Sequence, residues 1–427
     1  MTVTKRGSLR RAARMAAVAG LGLAAITLTA CNSGPGKYTA EGKANALEHA
    51  AGLKSATEFD QARQAYFAGV LDQALEHINN SITLNDKVAK SWVLKGRIEL
   101  DSQNFEGALE SFAKATELDE TDGEPMYFTG LTYERVGKIQ QALDSYLQAF
   151  ELDDRNAQYI VAVAETYIDN NQLEEAKTFL SDNSESFEFN PGIKQTLGHI
   201  AMIEGKPNEA YERFSEARIL APDDMSVLED LTTSQVRTGK FAEAEYNLGK
   251  LLEFKGNTNR RDLQHLRARC LMEVDRAVEA RELLIKLTQG TEGQADSKAW
   301  LQLGHVSYTL GDFNRVKQAA GRVIAQSPET ADGYVLRALW QRSEGNLEAA
   351  FISLNKACEF RGEDTAPLML KGLVAQQMGK YEIAKQSYST VLSENPSDSA
   401  ATQLLAAVEK QIESGSSVAT VPTDTGN

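Results

Sequence analysis

The residues able to do acid–base, nucleophilic or metal chemistry are few and scattered in this sequence. Its 427 residues contain five histidines, at positions 49, 77, 199, 265 and 305, and three cysteines. The sequence contains no G-x-x-x-x-G-K-[ST] phosphate loop, H-E-x-x-H zinc motif, G-x-S-x-G elbow or C-x-x-C pair. It therefore predicts neither an enzyme nor a cofactor or metal site.

Cys31 has surroundings that predict a specific covalent modification. A basic stretch ends at Arg14, an apolar run of signal-peptide length follows from Met15 to Ala30, and the run closes in Leu-Thr-Ala-Cys. This ending resembles the lipobox of bacterial lipoproteins. By that resemblance residues 1–30 are a signal peptide, residues 31–37 are a tether lipidated at Cys31, and Asn32 directs the chain to the outer membrane, facing the periplasm. The alternative is an ordinary secretory signal with an incidental cysteine.

The remaining cysteines and the net charge limit the possible partners. Cys270 and Cys358 are 88 residues apart, which predicts free thiols rather than a disulfide framework. The net charge is −15, and it becomes −20 without the five basic residues of the first 30 positions. Because such a surface repels phosphate backbones, nucleic-acid binding is not expected.

A 34-residue period dominates the body of the chain. Position 8 of the repeat is Gly or Ala except for Thr232, and position 20 is Ala except for Val316. Small residues at both positions let two antiparallel helices pack closely. Ten repeats begin at residues 55, 89, 123, 157, 191, 225, 261, 297, 331 and 365, with two extra residues before the seventh and before the eighth, and the last repeat ends at 398.

Position 15 marks the predicted turn between the two helices of each repeat. It is Gly in seven repeats and Gln103, Asn171 or Asp275 in the others. Gly adopts the left-handed conformation that ends a helix at little cost, so the first helix should stop there. Large apolar residues at position 24 are expected to face the next hairpin.

The pattern resembles the tetratricopeptide repeat family over residues 55–398. The resemblance implies an all-α solenoid of about ten helix–turn–helix repeats in a right-handed superhelix, with a concave groove lined by the first helices. A local change of superhelix pitch is expected at the seventh and eighth repeats. We also expect an N-terminal helix at residues 38–54, a C-terminal capping helix at 399–414 and a disordered tail at 415–427.

The resemblance also indicates which side chains point into the groove. In the first three repeats, aromatic and aliphatic residues alternate there with arginines, as suits an extended peptide or an amphipathic helix that carries carboxylates. The alternative is that several of them pack helix against helix. The candidate partner-binding residues are Phe59, Arg63, Tyr66, Phe67, Arg97, Tyr127, Phe128 and Arg135, with a second, more apolar patch that includes His305, Tyr308 and Arg342.

An arginine cluster at positions 260, 261, 267, 269, 276 and 281 is unusual in so acidic a chain. Aspartates and glutamates are interspersed with it at positions 262, 273, 275, 279 and 282. Solvated ion pairs are therefore the expected explanation, and the cluster does not enter the predicted binding residues.

These observations together predict a non-enzymatic, lipid-anchored periplasmic scaffold that binds protein or peptide partners of the cell envelope. Similar lipoproteins assist pilus, secretin or exopolysaccharide machinery, and this assignment follows from the resemblance alone. The alternative is an adaptor or subunit of a cell-wall or polysaccharide-active enzyme with a glycan in the groove, because aromatic side chains also stack on sugars.

Overall fold

The computed structural model describes residues 37–183 and 187–418. These ranges form 22 helices and contain no strand, which confirms the predicted all-α solenoid of helix hairpins. The chain divides into two compact units, Met1–Leu118 and Asp119–Asn427, which we call the N-terminal and C-terminal units. The predicted signal peptide, Cys31 and the end of the predicted tail lie outside the described residues. Within the described ranges, no helix combines the length and apolar character needed to cross a membrane.

The N-terminal unit consists of two helix hairpins. Helix α1 (Lys37–Phe67) packs on α2 (Leu71–Leu84), and α3 (Ala89–Asp101) packs on α4 (Phe105–Leu118). The expected boundary at residue 54 is absent, because the segment 38–54 continues without a break into the first helix of repeat 1. A single Gly52 costs a helix only about 1 kcal/mol and does not end it. Side chains at 41–50 are all exposed.

The C-terminal unit continues the same hairpin pattern and ends in an additional helix. Its last helix packs on the one before it and buries Ala401 and Val408, as expected of a cap. It reaches Val418, so residues 415–418 are helical rather than part of a tail. The helices are α5 (Glu124–Arg135), α6 (Ile139–Leu152), α7 (Ala157–Asp169), α8 (Leu173–Asn183), α9 (Pro191–Ile203), α10 (Pro207–Leu220), α11 (Met225–Arg237), α12 (Phe241–Glu253), α13 (Arg261–Glu273), α14 (Ala277–Leu287), α15 (Gly290–Ala295), α16 (Ser297–Thr309), α17 (Phe313–Gln326), α18 (Ala331–Ser343), α19 (Leu347–Glu359), α20 (Ala366–Gln377), α21 (Tyr381–Glu394) and α22 (Ser399–Val418).

The turn at position 15 has the predicted left-handed backbone in every repeat. The φ angle is positive at all seven glycines and also at Gln103, Asn171 and Asp275, where it is 61°, 58° and 59°. The following amide closes the turn by bonding back to the first helix, as Lys138 N does to the Tyr133 carbonyl oxygen at 2.8 Å. The backbone therefore imposes this conformation even where the residue is not Gly.

The side chain at position 24 is matched in size to the residue at position 8 of the same repeat. A Cβ added at Gly96 would lie 2.4 Å from Phe112 Cε1, so the ring occupies the space that the missing side chain leaves. Position 24 therefore packs against its own hairpin rather than only against the next one. The same arrangement of Gly under an aromatic ring recurs in the pairs Gly130–Tyr146, Gly198–Phe214 and Gly372–Tyr388.

Repeats with a larger residue at position 8 carry an aliphatic residue at position 24. The pairs are Ala62–Ile78, Ala164–Leu180, Thr232–Leu248, Ala268–Leu284 and Ala338–Leu354. In repeat 8, position 24 is Ala320, and Gly304 is instead covered by Leu336 of the following repeat. In the other nine repeats a smaller residue at position 8 is thus matched by a larger one at position 24, as close packing requires.

A polar contact joins α9 to α11 on the face formed by the first helices. His199 Nε2 lies 2.9 Å from Asp230 Oδ2, and Gln195 Nε2 donates to the same oxygen at 2.6 Å. The hydrogen bond to Asp230 raises the pKa of His199 in spite of partial burial, and the charges of Asp230 and Glu165 add to the effect. Protonated His199 therefore stabilises the contact between successive repeats.

We expect Gly96→Ala to destabilise the N-terminal unit by about 1–3 kcal/mol, because the new methyl group overlaps the Phe112 ring. Gly321→Ala is the matched control in an open helix position, and it should stabilise by about 0.5–1 kcal/mol. The double variant Gly96→Ala/Phe112→Leu reproduces the Ala–Leu pairs and should lose less than the sum of the single changes. Urea denaturation followed by circular dichroism measures these three variants and the single change Phe112→Leu, and strict additivity would contradict the size-matching account.

We expect His199→Gln to lower stability more at pH 6 than at pH 8.5. A raised pKa makes the contribution of His199 complete below about 6.5, the ordinary value for His, and removes it as the pH rises through the raised value. The urea midpoint across this pH range measures the effect. His49→Gln changes a histidine exposed in α1 and should leave the pH profile unaltered. A deficit of His199→Gln that is equal at both pH values would contradict the assignment.

Candidate functional site

Tyr66 and Arg97 form a connected pair in the N-terminal unit. The Tyr66 hydroxyl donates to Asp101 Oδ2 at 2.7 Å, and the Arg97 guanidinium lies over the Tyr66 ring, 5.4 Å from its centroid. Burial, together with the bond to Asp101, raises the pKa of Tyr66. Phe59 and Tyr66 also pack against the buried cluster of the first two repeats. These predicted binding residues therefore contribute to the packing of the unit.

Phe67 and Arg63 lie on the surface of α1. The Phe67 side chain is 74% exposed, and its ring centroid is 5.7 Å from that of Tyr66. Arg63 Nη2 forms an ion pair with Asp60 Oδ1 at 3.1 Å, with both side chains more than half exposed. Among the six aromatic residues predicted to bind a partner, only Phe67 is exposed, and the other five are half-buried.

Tyr127 belongs to a group of aromatic rings in the C-terminal unit. Its ring centroid lies 5.6 Å from that of Tyr146 and 5.4 Å from that of Tyr159, and burial raises its pKa. Phe128 meets Tyr127 edge to face at 5.3 Å. Arg135 is exposed at the end of α5. The eight candidate binding residues of the first three repeats thus divide between the two compact units. For Tyr127, the alternative that it packs helix against helix applies.

The predicted apolar patch of the last repeats is also largely engaged in packing. Tyr308 packs on the core of repeats 7 and 8 and meets Phe313 edge to face at 6.0 Å. Arg342 Nε donates to Gln377 Oε1 at 3.0 Å, which links α18 to α20. The His305 side chain reaches solvent, yet partial desolvation by the surrounding protein lowers its pKa. The negative charge of Asp332 opposes this shift.

A cavity of about 280 Å³ opens between α11, α13 and α16, and none of the predicted binding residues lines it, although His305 and Tyr308 lie on α16. These three are the first helices of repeats 6, 7 and 8, so the cavity lies on the predicted groove face. Leu248, Leu251 and Leu263 form its buried floor, and the half-buried Leu266 lies beside them. We call it the repeat 6–8 pocket.

One guanidinium holds both acidic groups of the repeat 6–8 pocket. Arg260 donates to both carboxylate oxygens of Glu229, each at 2.7 Å. It also donates to Asp262, from Nε at 3.2 Å and from Nη2 at 2.5 Å. These hydrogen bonds raise the pKa of Arg260 and lower that of Asp262. One positive charge thus offsets one of the two negative charges of the pocket wall.

A buried network around His265 fixes α13 against the start of α16. His265 Nε2 lies 2.9 Å from Asp296 Oδ2 and Nδ1 lies 2.5 Å from Gln302 Oε1. Gln302 Nε2 donates to the His265 carbonyl at 3.0 Å, and Arg261 also donates to Asp296. Asp296 caps α16 through the Ala299 amide at 2.9 Å. Burial opposes ionisation of Asp296, but these hydrogen bonds hold its pKa below the usual value.

Arg269 and Lys298 are the basic side chains that line the pocket and face solvent. No aspartate or glutamate of the described ranges forms an ion pair with either of them. Lys298 lies in the first turn of α16, where the helix dipole disfavours a cation. The two positive charges are therefore available for a ligand rather than committed to the fold.

The arginines of the cluster at positions 260–281 largely form ion pairs, as expected, but the pairs made with Glu245 are more buried than expected. Arg267 and Arg276 both pair with Glu245, at 2.8 Å and 2.7 Å. The Glu245 side chain is only 9% exposed, so these pairs are partly buried instead of solvated. Arg269, by contrast, lines the repeat 6–8 pocket.

Two irregularities of the sequence coincide with the pocket, which residue types alone did not indicate. Thr232, the exception at position 8, lines it, and the extra residues before repeats 7 and 8 flank α13. The short helix α15 ends at Ala295, the first residue of the second insertion, and Asp296 is its second residue. Within the described residues, no group of three or more His, Cys, Asp or Glu side chains is arranged to hold a metal ion.

Comparison with known proteins places this chain among repeat proteins. The tetratricopeptide repeat family model matches residues 89–122 and 367–398, the second repeat and most of the tenth. A TPR repeat-containing protein of Methanocaldococcus jannaschii is 27% identical over 191 residues, which are 42% of this chain and 33% of that protein. This chain thus spans about a third of that relative.

Solved structures with similar helix hairpins have low sequence identity to this chain. A tetratricopeptide repeat protein of Parabacteroides merdae is 16% identical, with a TM-score of 0.49 over 59% of this chain and 98% of its own. The pilF protein of Pseudomonas aeruginosa is 19% identical, with a TM-score of 0.43 over 49% and 96%. The two family-model matches coincide with the second and tenth helix hairpin repeats of the array, so these two segments are tetratricopeptide repeats.

Proposed function

We propose that this protein is a non-enzymatic scaffold, anchored by lipid to the outer membrane and facing the periplasm, that binds protein partners during envelope assembly. The observation that carries the proposal is the repeat 6–8 pocket, a pocket on the first-helix face with two basic side chains that no described acid neutralises. A tetratricopeptide solenoid has an extended surface suited to protein partners. Pilus, secretin or exopolysaccharide machinery remains the proposed setting by resemblance.

The sequence around Cys31 supports the anchor. Acylation at several chains, at about 0.8 kcal/mol per buried CH₂, holds a protein to a bilayer far more firmly than a single chain does. Asn32 after the cysteine supports the outer membrane as the destination. A scaffold tethered in this way meets its partners at high effective concentration along the membrane.

A glycan-binding adaptor is less well supported by the side-chain geometry. Stacking on sugars needs exposed aromatic faces, and of the aromatic residues predicted to bind a partner only Phe67 is exposed. The repeat 6–8 pocket is lined by leucine, threonine, histidine, acidic, basic and amide side chains, without a Phe, Tyr or Trp ring. We therefore favour protein partners.

We expect Cys31→Ala to move the full-length chain out of the outer-membrane fraction of a bacterial host, because the lipid is attached through the Cys31 sulfur. Membrane fractionation and metabolic labelling with a radioactive fatty acid measure the change. Cys358→Ala, which alters a half-buried free thiol, is the matched control and should remain membrane-bound and labelled. Equal labelling of Cys31→Ala and the unaltered chain would contradict the anchor.

We expect amine-reactive crosslinking in intact cells to join the full-length chain to a small, reproducible set of envelope proteins. Purification through a C-terminal tag and mass spectrometry identify them, and a tagged, lipid-anchored protein without repeats serves as control. Recovery of only those proteins that the control also captures would contradict the scaffold role.

A further inference from the structure

We propose that the repeat 6–8 pocket binds a partner segment in which a carboxylate side chain stands next to an apolar one. This inference rests on the proposed function and names the chemistry of the partner at that site. It follows from the charge left over in the pocket wall, from the apolar floor and from the size of the cavity.

The charge of the pocket wall is positive although the chain as a whole is strongly acidic. Arg260 compensates one of the two charges of Glu229 and Asp262, and Arg269 and Lys298 add two cations that form no ion pair with a described acid. The formal sum over these five side chains is +1 in a chain of net charge −15. A carboxylate entering the pocket would meet the Arg269 guanidinium and the Lys298 ammonium group, beside an acid pair of which Arg260 offsets one charge.

The position of Lys298 indicates a role outside helix stability. It occupies the first turn of α16, where the amide groups and the macrodipole favour an anion and disfavour a cation. Asp296 already caps this helix end, so an arriving carboxylate would interact chiefly with the ammonium group of Lys298. Because Lys298 is exposed and forms no ion pair with a described acid, its replacement by Gln should leave the structure intact.

The pocket wall is held rigid before any ligand arrives. The contacts of His265 with Asp296 and Gln302 fix the spacing of α13 and α16 from within. The bidentate contact of Arg260 with Glu229 fixes α11 against the residue that precedes α13. Preorganised walls reduce the ordering cost of binding.

The size and floor of the pocket favour peptide side chains over other anionic ligands. A volume of about 280 Å³ lies below the range of about 300–1,000 Å³ for drug-sized ligands. One or two side chains fit such a space, with the apolar one against Leu266 and the buried leucines. No Phe, Tyr or Trp ring lines the cavity for sugar stacking, so an acidic peptide is favoured over an acidic polysaccharide.

The test uses the purified full-length chain and two labelled decapeptides, one alternating Leu and Glu and the other alternating Leu and Gln. Fluorescence anisotropy measures their binding at low and moderate salt. The test variant is Arg269→Gln/Lys298→Gln. The control variant is Lys255→Gln/Lys286→Gln, which removes the same charge from exposed positions outside the pocket lining.

We expect the Leu–Glu peptide to bind at least tenfold more tightly than the Leu–Gln peptide. The Arg269→Gln/Lys298→Gln variant should lose that preference, whereas the control variant stays within about twofold of the unaltered chain. Equal binding of the two peptides, or an unchanged preference in the test variant, would overturn the inference. Displacement of the labelled Leu–Glu peptide by an oligogalacturonate of similar charge, at concentrations at which unlabelled Leu–Glu peptide does not displace it, would also overturn the inference.

The outcome is separable from that of the scaffold proposal. If crosslinking in cells captures the same envelope proteins with Arg269→Gln/Lys298→Gln as with the unaltered chain, the scaffold role stands and the assignment of the pocket fails. If the peptide binds at the pocket but crosslinking captures no specific protein, the chemistry of the pocket stands and the scaffold role fails.

Discussion

The close approach of the two helices within each repeat is the constraint on which this structure depends. Position 8 brings the helices together, and position 24 fills whatever space the residue at position 8 leaves, as the pairs Gly96–Phe112 and Ala62–Ile78 illustrate. A hairpin of this kind cannot bury both of its faces alone, so each repeat is stabilised by its neighbours. Because the interior is close-packed, neither member of a pair can change size independently. The uniform turn at position 15 keeps successive helices in the same relation.

The repeat 6–8 pocket lies where this regular pattern is interrupted. Thr232 replaces the small residue at position 8 and satisfies its hydroxyl by bonding to the Leu228 carbonyl at 2.6 Å. The insertion before repeat 8 supplies Asp296, which both caps α16 and holds Arg261 and His265. Polar side chains that would be costly if buried without partners are here almost fully paired. The departures from the repeat thus contribute to a rigid pocket wall, on which Arg269 and Lys298 form no ion pair with a described acid.

The sequence predicts the architecture well because its signals are local or periodic. The repeat period, the turn at position 15 and the terminal helix depend on residue type at fixed spacing, and all three are observed. The candidate site was less predictable, because the environment of a side chain depends on contacts between repeats. Tyr66 bonds to Asp101 in the next repeat, and Tyr127 packs against Tyr159 in the next. The pairing of Arg260 with Glu229, which leaves Arg269 free, also joins residues far apart in sequence.

The central claim is that a partner contacts the protein at the repeat 6–8 pocket. Site-specific photo-crosslinking in living cells tests it most directly, with the photoreactive residue placed at Thr233, exposed at the edge of the pocket, or at Ile352, 65% exposed on α19. We predict that Thr233 yields crosslinked partner peptides rich in Asp or Glu beside apolar residues and that Ile352 does not. Crosslinks from Ile352 alone, or none from Thr233, would contradict the account.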